Sequence, residues 1–232
     1  MFQLRSSPTL DAGDLGWLKA KYHFSVTPSG NPANGPLGAL VVWNDDEIGP
    51  GTGFGFHGHS NMEIVSYVRE GAVTHRDSDG NVGRTDAGNV QAISAGSGIR
   101  HSEQNLGAER LRLFQIWLRP RTNGGEPRWG TRGFPMADRA NQFVVLASGL
   151  PGDVDALPIR ADARVLGATL LAGARLDYEL GGLRHAYLAP ARGVVEVNGQ
   201  RLATGDGIAA VDEPRLTIFA REDSELVLVV TA

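Results

Sequence analysis

The sequence predicts an all-β protein built as two β-barrels in tandem, and three observations carry that prediction. Short strand-like runs recur, among them GALVVW (38–43), MEIVSYV (62–68), RLFQIWL (112–118) and ELVLVV (225–230), while no long window shows the helical period. Thirty-one Gly and 12 Pro punctuate the 232 residues into segments of strand length, the pattern of a sandwich or barrel. The third observation is a repeat. Residues 71–93, GAVTHRDSDGNVGRTDAGNVQAI, read as strand, Asp-Gly turn, strand, Gly-containing turn and strand; residues 193–210, GVVEVNGQRLATGDGIAA, repeat that order around an Asn-Gly turn. Both dipeptides are hairpin signals because the favoured two-residue turn needs positive φ.

A hairpin repeated about 120 residues apart places one barrel in 1–125 and a second in 126–232. The join is expected within RPRTNGGEPRWGTRGFPMADRA (119–140), which is rich in Gly, Pro and Arg and has little periodicity. Its arginines, Arg119, Arg121, Arg128, Arg132 and Arg139, read as solvated or as inter-domain ion-pair partners, ahead of an anion-binding role.

Composition narrows the function. Twenty-two Lys+Arg against 26 Asp+Glu give a net charge of −4, mild and of the wrong sign for a nucleic-acid binder. The absence of cysteine removes disulfides, thiol nucleophiles and zinc–thiolate sites, and agrees with a reducing cytoplasm. No apolar run approaches the roughly 18–20 residues a membrane helix needs, and the opening MFQLRSSPTLDAGDLGW lacks the apolar centre of a secretory signal. The expectation is a soluble cytoplasmic protein that acts on a small molecule. A monomer is expected, since two barrels can bury each other.

Three of the six histidines form a pattern. His57 and His59 make an H-x-H pair, and His101 opens an H-x-E pair with Glu103. On a strand, residues i and i+2 project to one face, so two such strands present four donors to a common point. Three imidazoles, one carboxylate and no sulfur suit one divalent first-row metal, Fe, Mn, Co, Ni, Cu or Zn, a set that does not choose among them; iron(II) is the expected occupant. Four protein ligands leave up to two coordination positions open, as inner-sphere catalysis requires.

Residues 51–71, GTGFGFHGHSNMEIVSYVREG, nearly match the first cupin motif: Gly, five residues, H-x-H, three residues, Glu. The closing Gly71 comes one residue late. Residues 88–105, GNVQAISAGSGIRHSEQN, resemble the second motif, with Ser94 where Pro is usual and a Gly96–His101 spacing two residues longer. More narrowly, HGHSNMEIVSYVREGAVTHRDSDGNVGRTDAGNVQAISAGSGIRHSE resembles the signature of the pirin family of two-domain cupins, and the resemblance extends through 16–25, 35–57 and 111–120. Gly58 stands where many pirins have Pro, which removes no ligand.

The resemblance implies a bicupin with the metal in the N-terminal barrel. It implies a quercetin 2,3-dioxygenase-like activity, in which a flavonol and O₂ react with opening of the central ring and release of carbon monoxide. The alternative it carries is a metal-containing regulatory or redox-sensing protein that works through partners. In the general cupin pattern the fourth ligand is Glu63, and in pirins it is Glu103; both have the parity of their histidines, so periodicity leaves the choice open. The closer pirin match favours Glu103, which then also serves as the catalytic proton acceptor, with Glu63 behind the ligands orienting an imidazole or a water. Phe54 and Phe56 flank His57 and are candidates for substrate contact. His23, His75 and His185 occur singly and read as structural. In the second half, rough alignment puts Asp177 and Glu179 in the H-x-H slots and Ile218 and Ala220 in the H-x-E slots, so no second metal is expected there. Gly53 to Gly58 formally matches G-x-G-x-x-G, but a β-like run follows it where a dinucleotide site needs a helix.

Overall fold

The structure, a computed structural model, describes residues 1–25, 30–181 and 185–232. Among the described residues the chain forms four β-sheets and three short 3₁₀ turns, Ser7–Thr9, Pro32–Asn34 and Met136–Arg139. The first barrel closes a seven-stranded sheet against a four-stranded one. In hydrogen-bonded order the large sheet runs Arg128–Arg132, Val90–Ser94, Glu63–Glu70, Leu111–Leu118, Leu40–Ile48, Leu18–Tyr22 and Asp11–Asp14. The small sheet runs Thr52–His59, Ile99–Asn105, Ala72–Asp77 and Val82–Asp86. The second barrel repeats the plan, with strands including His185–Arg192, Ser224–Thr231 and Ala163–Leu170 at the centre of its large sheet.

Strand alternation decides what each face does. Along Leu40–Ile48, Glu63–Glu70 and Leu111–Leu118, one set of residues (Trp43, Val65, Tyr67, Phe114, Ile116) packs against Leu146, Ala163, Val165, Tyr187 and Val229 of the second barrel. The two large sheets are therefore packed face to face, and this is the largest core of the molecule. The opposite face of the same strands lines the first barrel's interior. The second barrel is filled by aliphatic side chains, among them Leu166, Leu188, Val195, Ile218 and Leu226. There Asp177 and Glu179 point outward, beside Arg175 and Arg215.

The Asn198–Gly199 turn takes positive φ at both positions, as its hairpin demands, whereas at Asp79–Gly80 only the glycine does. Two edge strands cross the expected division at 125/126. Phe2–Arg5 pairs with Gly207–Ala210 at the edge of the second barrel, and Arg128–Arg132 pairs with Val90–Ser94 in the first. Each half thus lends an edge strand to the other, because an extended segment pairs with whichever open sheet edge it reaches, and its composition does not specify that edge. The join is knitted by its arginines: Arg121 with Asp162, Arg132 with Asp155, and a fully buried Arg139 with Tyr67 and Glu225.

Candidate metal centre

His57 and His59 lie on Thr52–His59, and His101 lies opposite His57 on the neighbouring strand Ile99–Asn105. One ligand atom from each comes within 4.8 Å of the others, and the ring centroids are 4.5–5.1 Å apart. His57 Nδ1 sits 2.7 Å from the carbonyl oxygen of Gly55, which orients the ring and leaves Nε2 for a metal. Buried His101 has no hydrogen-bond partner on either nitrogen among the described residues. Burial, reinforced by the neighbouring imidazoles, lowers His101 to about 3, and burial followed by His57 lowers His59 to about 4. Imidazole nitrogens held this close, with His59 and His101 favoured in the neutral form that ligates, fit a divalent transition metal.

A β-bulge sets the site's phase. His101 pairs with His57 but Glu103 pairs with Phe54, so Ser102 alone on one strand opposes Gly55 and Phe56 on the other. Phe54 thereby shares the inward face with His57 and His59. Next to the bulge, Gly53, at φ +151°, pairs with Gln104 where only glycine fits, since a Cβ there would lie 2.4 Å from the carbonyl oxygen of Glu103.

Glu103 is fully buried and lines the same cavity as His57 and His59, although its carboxylate stands outside the tight histidine cluster. Three side chains donate to it: Ser66 Oγ at 3.3 Å, Gln115 Nε2 at 2.9 Å, and Gln91 Nε2. Burial outweighs these donors and raises Glu103 to about 7.

Two sequence expectations are corrected here. Glu63 does not stand behind the ligands. It projects from the opposite face of Glu63–Glu70 to Ser66, and accepts from Ser94 Oγ at 2.5 Å and the backbone N–H of Arg160 at 2.9 Å, at the seam with the second barrel. The turn 60–62, with Asn61 at φ 52°, intervenes between His59 and Glu63 and resets the alternation. Phe56 is 53% exposed on the outer face, leaving Phe54 as the phenylalanine of the cavity, with Trp17 edge-on to it at 5.1 Å.

Two residues were missed. His75, opposite Glu103 on Ala72–Asp77, is buried, hydrogen-bonded to Asp77 at 3.0 Å and stacked on Trp129, its ring 5.5 Å from His101. Its only sequence signal is the i, i+2 pairing His75–Asp77. Asp46, on Leu40–Ile48, is 1% exposed and faces the same cavity of about 260 Å³, together with Trp117. Burial, then Asp45 and Glu103, raise it to about 8. Nothing in a run of acidic residues marks one as buried.

Comparison with known proteins bears on both halves. A family model described as Pirin matches residues 4–118, and one described as Quercetinase C-terminal cupin domain matches 145–229. A pirin-like protein of Caulobacter vibrioides is 60% identical over 220 residues, covering 95% of both chains. A quercetin 2,3-dioxygenase of Escherichia coli is 38% identical, covering 98% of this chain and 97% of its own. The crystal structure of the bacterial pirin YhhW from Escherichia coli in complex with nickel(II) superposes with a TM-score of 0.92 at 36% identity, covering 100% and 99% of the two chains.

Proposed function

The chain belongs to the pirin family, and from that membership we propose that it is a metal-dependent dioxygenase that opens the central ring of a flavonol such as quercetin with O₂ and releases carbon monoxide. The observation that carries the proposal is the convergence of three imidazoles, two of which line one cavity with the buried carboxylate of Glu103 and the aromatic rings of Phe54 and Trp117. His57, His59 and His101 would hold the metal, iron(II) in the first instance, with Glu103 as the fourth ligand. When bound, the metal supplies the positive charge that acidifies the substrate hydroxyl and the redox chemistry that engages O₂.

The chain's own residues do the rest. Glu103, released from the ligand set, takes the proton of the flavonol 3-hydroxyl on a carboxylate oxygen. Its three donors, Ser66, Gln91 and Gln115, hold it in place through that transfer. Phe54 and Trp117 give the cavity flat apolar walls that exclude water. A cytoplasmic monomer is part of this reading.

The test loads purified protein anaerobically with Fe(II), Mn(II), Co(II), Ni(II) or Cu(II) and follows quercetin absorbance in air, with carbon monoxide detection. Metal-dependent bleaching is expected, lost by at least about a hundredfold in His101→Ala and in Glu103→Gln. Tight metal binding with no turnover of any flavonol would reject the enzyme and turn the search to protein partners.

A further inference from the structure

One wall of the first barrel's cavity is unexplained by metal chemistry. The histidines come from the small sheet; from the facing large sheet, Leu40–Ile48 turns Asn44 and Asp46 into the same space. Neither carboxyl oxygen of Asp46 has a hydrogen-bond partner among the described residues, and the amide oxygen of Asn44 has none either. The other buried carboxylates of this barrel are satisfied. Glu103 accepts from three side chains, and Glu63 from Ser94 and Arg160. Three unpartnered oxygens in one interior wall are costly to a fold and are retained where something donates to them.

Barrel construction does not need them. The corresponding strand of the second barrel, Ala163–Leu170, contributes Leu166 and Leu170 to its interior. The oxygens also have a specific chemistry. Burial, then the neighbouring carboxylates Asp45 and Glu103, favour the acid form of Asp46, in which one oxygen donates and the other accepts. A ring carrying two adjacent hydroxyls presents the complementary alternation of acceptor and donor, and the amide oxygen of Asn44 accepts a further hydroxyl.

We propose that Asp46 and Asn44 form the substrate-recognition wall of the cavity, hydrogen-bonding adjacent ring hydroxyls of a polyphenol, and that Asp46 sets specificity for them. The inference rests on the flavonol reading above and extends it from the reacting end of the substrate to its selection. Removing the hydroxyls leaves the wall unpaired, so a ligand without them binds more weakly.

Quercetin and galangin differ only in the adjacent hydroxyl pair on the pendant ring. Their dissociation constants are measured by quenching of protein fluorescence, with metal-loaded protein held without oxygen, for the native chain, Asp46→Asn and Asp46→Leu. The native protein is expected to favour quercetin by about tenfold. Asp46→Leu abolishes the preference by weakening quercetin alone, and Asp46→Asn retains most of it, since an amide still offers a donor and an acceptor. Thermal melts establish that both variants are folded. A preference that survives in Asp46→Leu overturns the proposal, as does equal or absent binding of the two flavonols by the native chain. Turnover of both flavonols in air with equal affinities overturns the role of Asp46 alone. A quercetin preference without turnover supports that role and rejects the dioxygenase.

Discussion

A buried ionisable side chain reports its environment through the pH dependence of stability. Asp46 shows this most directly, because its folded value of about 8 lies far above its ordinary value of 3.8. Between these limits the unfolded chain has released a proton that the folded chain still holds, so folding is disfavoured progressively as pH rises from about 4 to about 8. Asp46→Asn removes that linkage. The variant is expected to match the native protein near pH 4 and to exceed it by about 1–3 kcal/mol at pH 8, the scale of relieving a poorly satisfied buried polar group. Urea melts at pH 4, 6 and 8 measure the difference, and a pH-independent gap would mean that Asp46 ionises normally. Such a gain would mark the native residue as retained for binding at the expense of stability.

Among the elements, the bulge between Thr52–His59 and Ile99–Asn105 has the greatest consequence. Without it, alternation would put Phe54 and His57 on opposite faces, and the cavity would lose its aromatic wall or its ligand. Beside the bulge, Gly53 brings its backbone against that of Glu103 and Gln104 at a φ that L side chains rarely adopt. Gly53→Ala is expected to cost about 2 kcal/mol or more and to weaken Ni(II) binding at least about tenfold by shifting the imidazoles. Calorimetric titration beside a thermal melt separates the two effects. A folded variant with native metal affinity would dissociate Gly53 from the site.

At the scale of the molecule, the two barrels are braced into one unit by exchanged edge strands and by the buried group Arg139, Tyr67 and Glu225. Arg139 donates to the Tyr67 hydroxyl at 2.7 Å and contacts Glu225 at 3.3 Å, and Tyr67 donates to the same carboxylate. Breaking one member strands a charge in the interior. Arg139→Met is therefore expected to cost about 3–5 kcal/mol, and Arg139→Met with Glu225→Leu to recover most of it. Chemical denaturation tests this, and should show one cooperative transition in the native chain. Two separate transitions would mean that the barrels fold independently and that the brace is ornamental.

The sequence by itself determined the all-β class, the tandem barrels, and the three histidines. Strand alternation and hairpin turns are local properties, read within a few residues, and His57 with His59 needs only one strand to share a face. What local chemistry does not encode begins where a boundary is crossed. The turn between His59 and Glu63 resets the alternation that the two would share on one strand, and the bulge brings Phe54 inward while Phe56, next to His57, stays on the outer face. Which sheet edge Phe2–Arg5 and Arg128–Arg132 join is likewise set by the fold, each crossing to the other barrel. Asp46 became visible only with burial, because an acidic residue reads as solvated until the strands around it close, and the place of His75 beside His101 shows only in the folded barrel. The pattern of the three histidines is written in residue spacing; the cavity, its unpaired oxygens and the brace between barrels were decided by tertiary packing, which alone determines which side chains lose water.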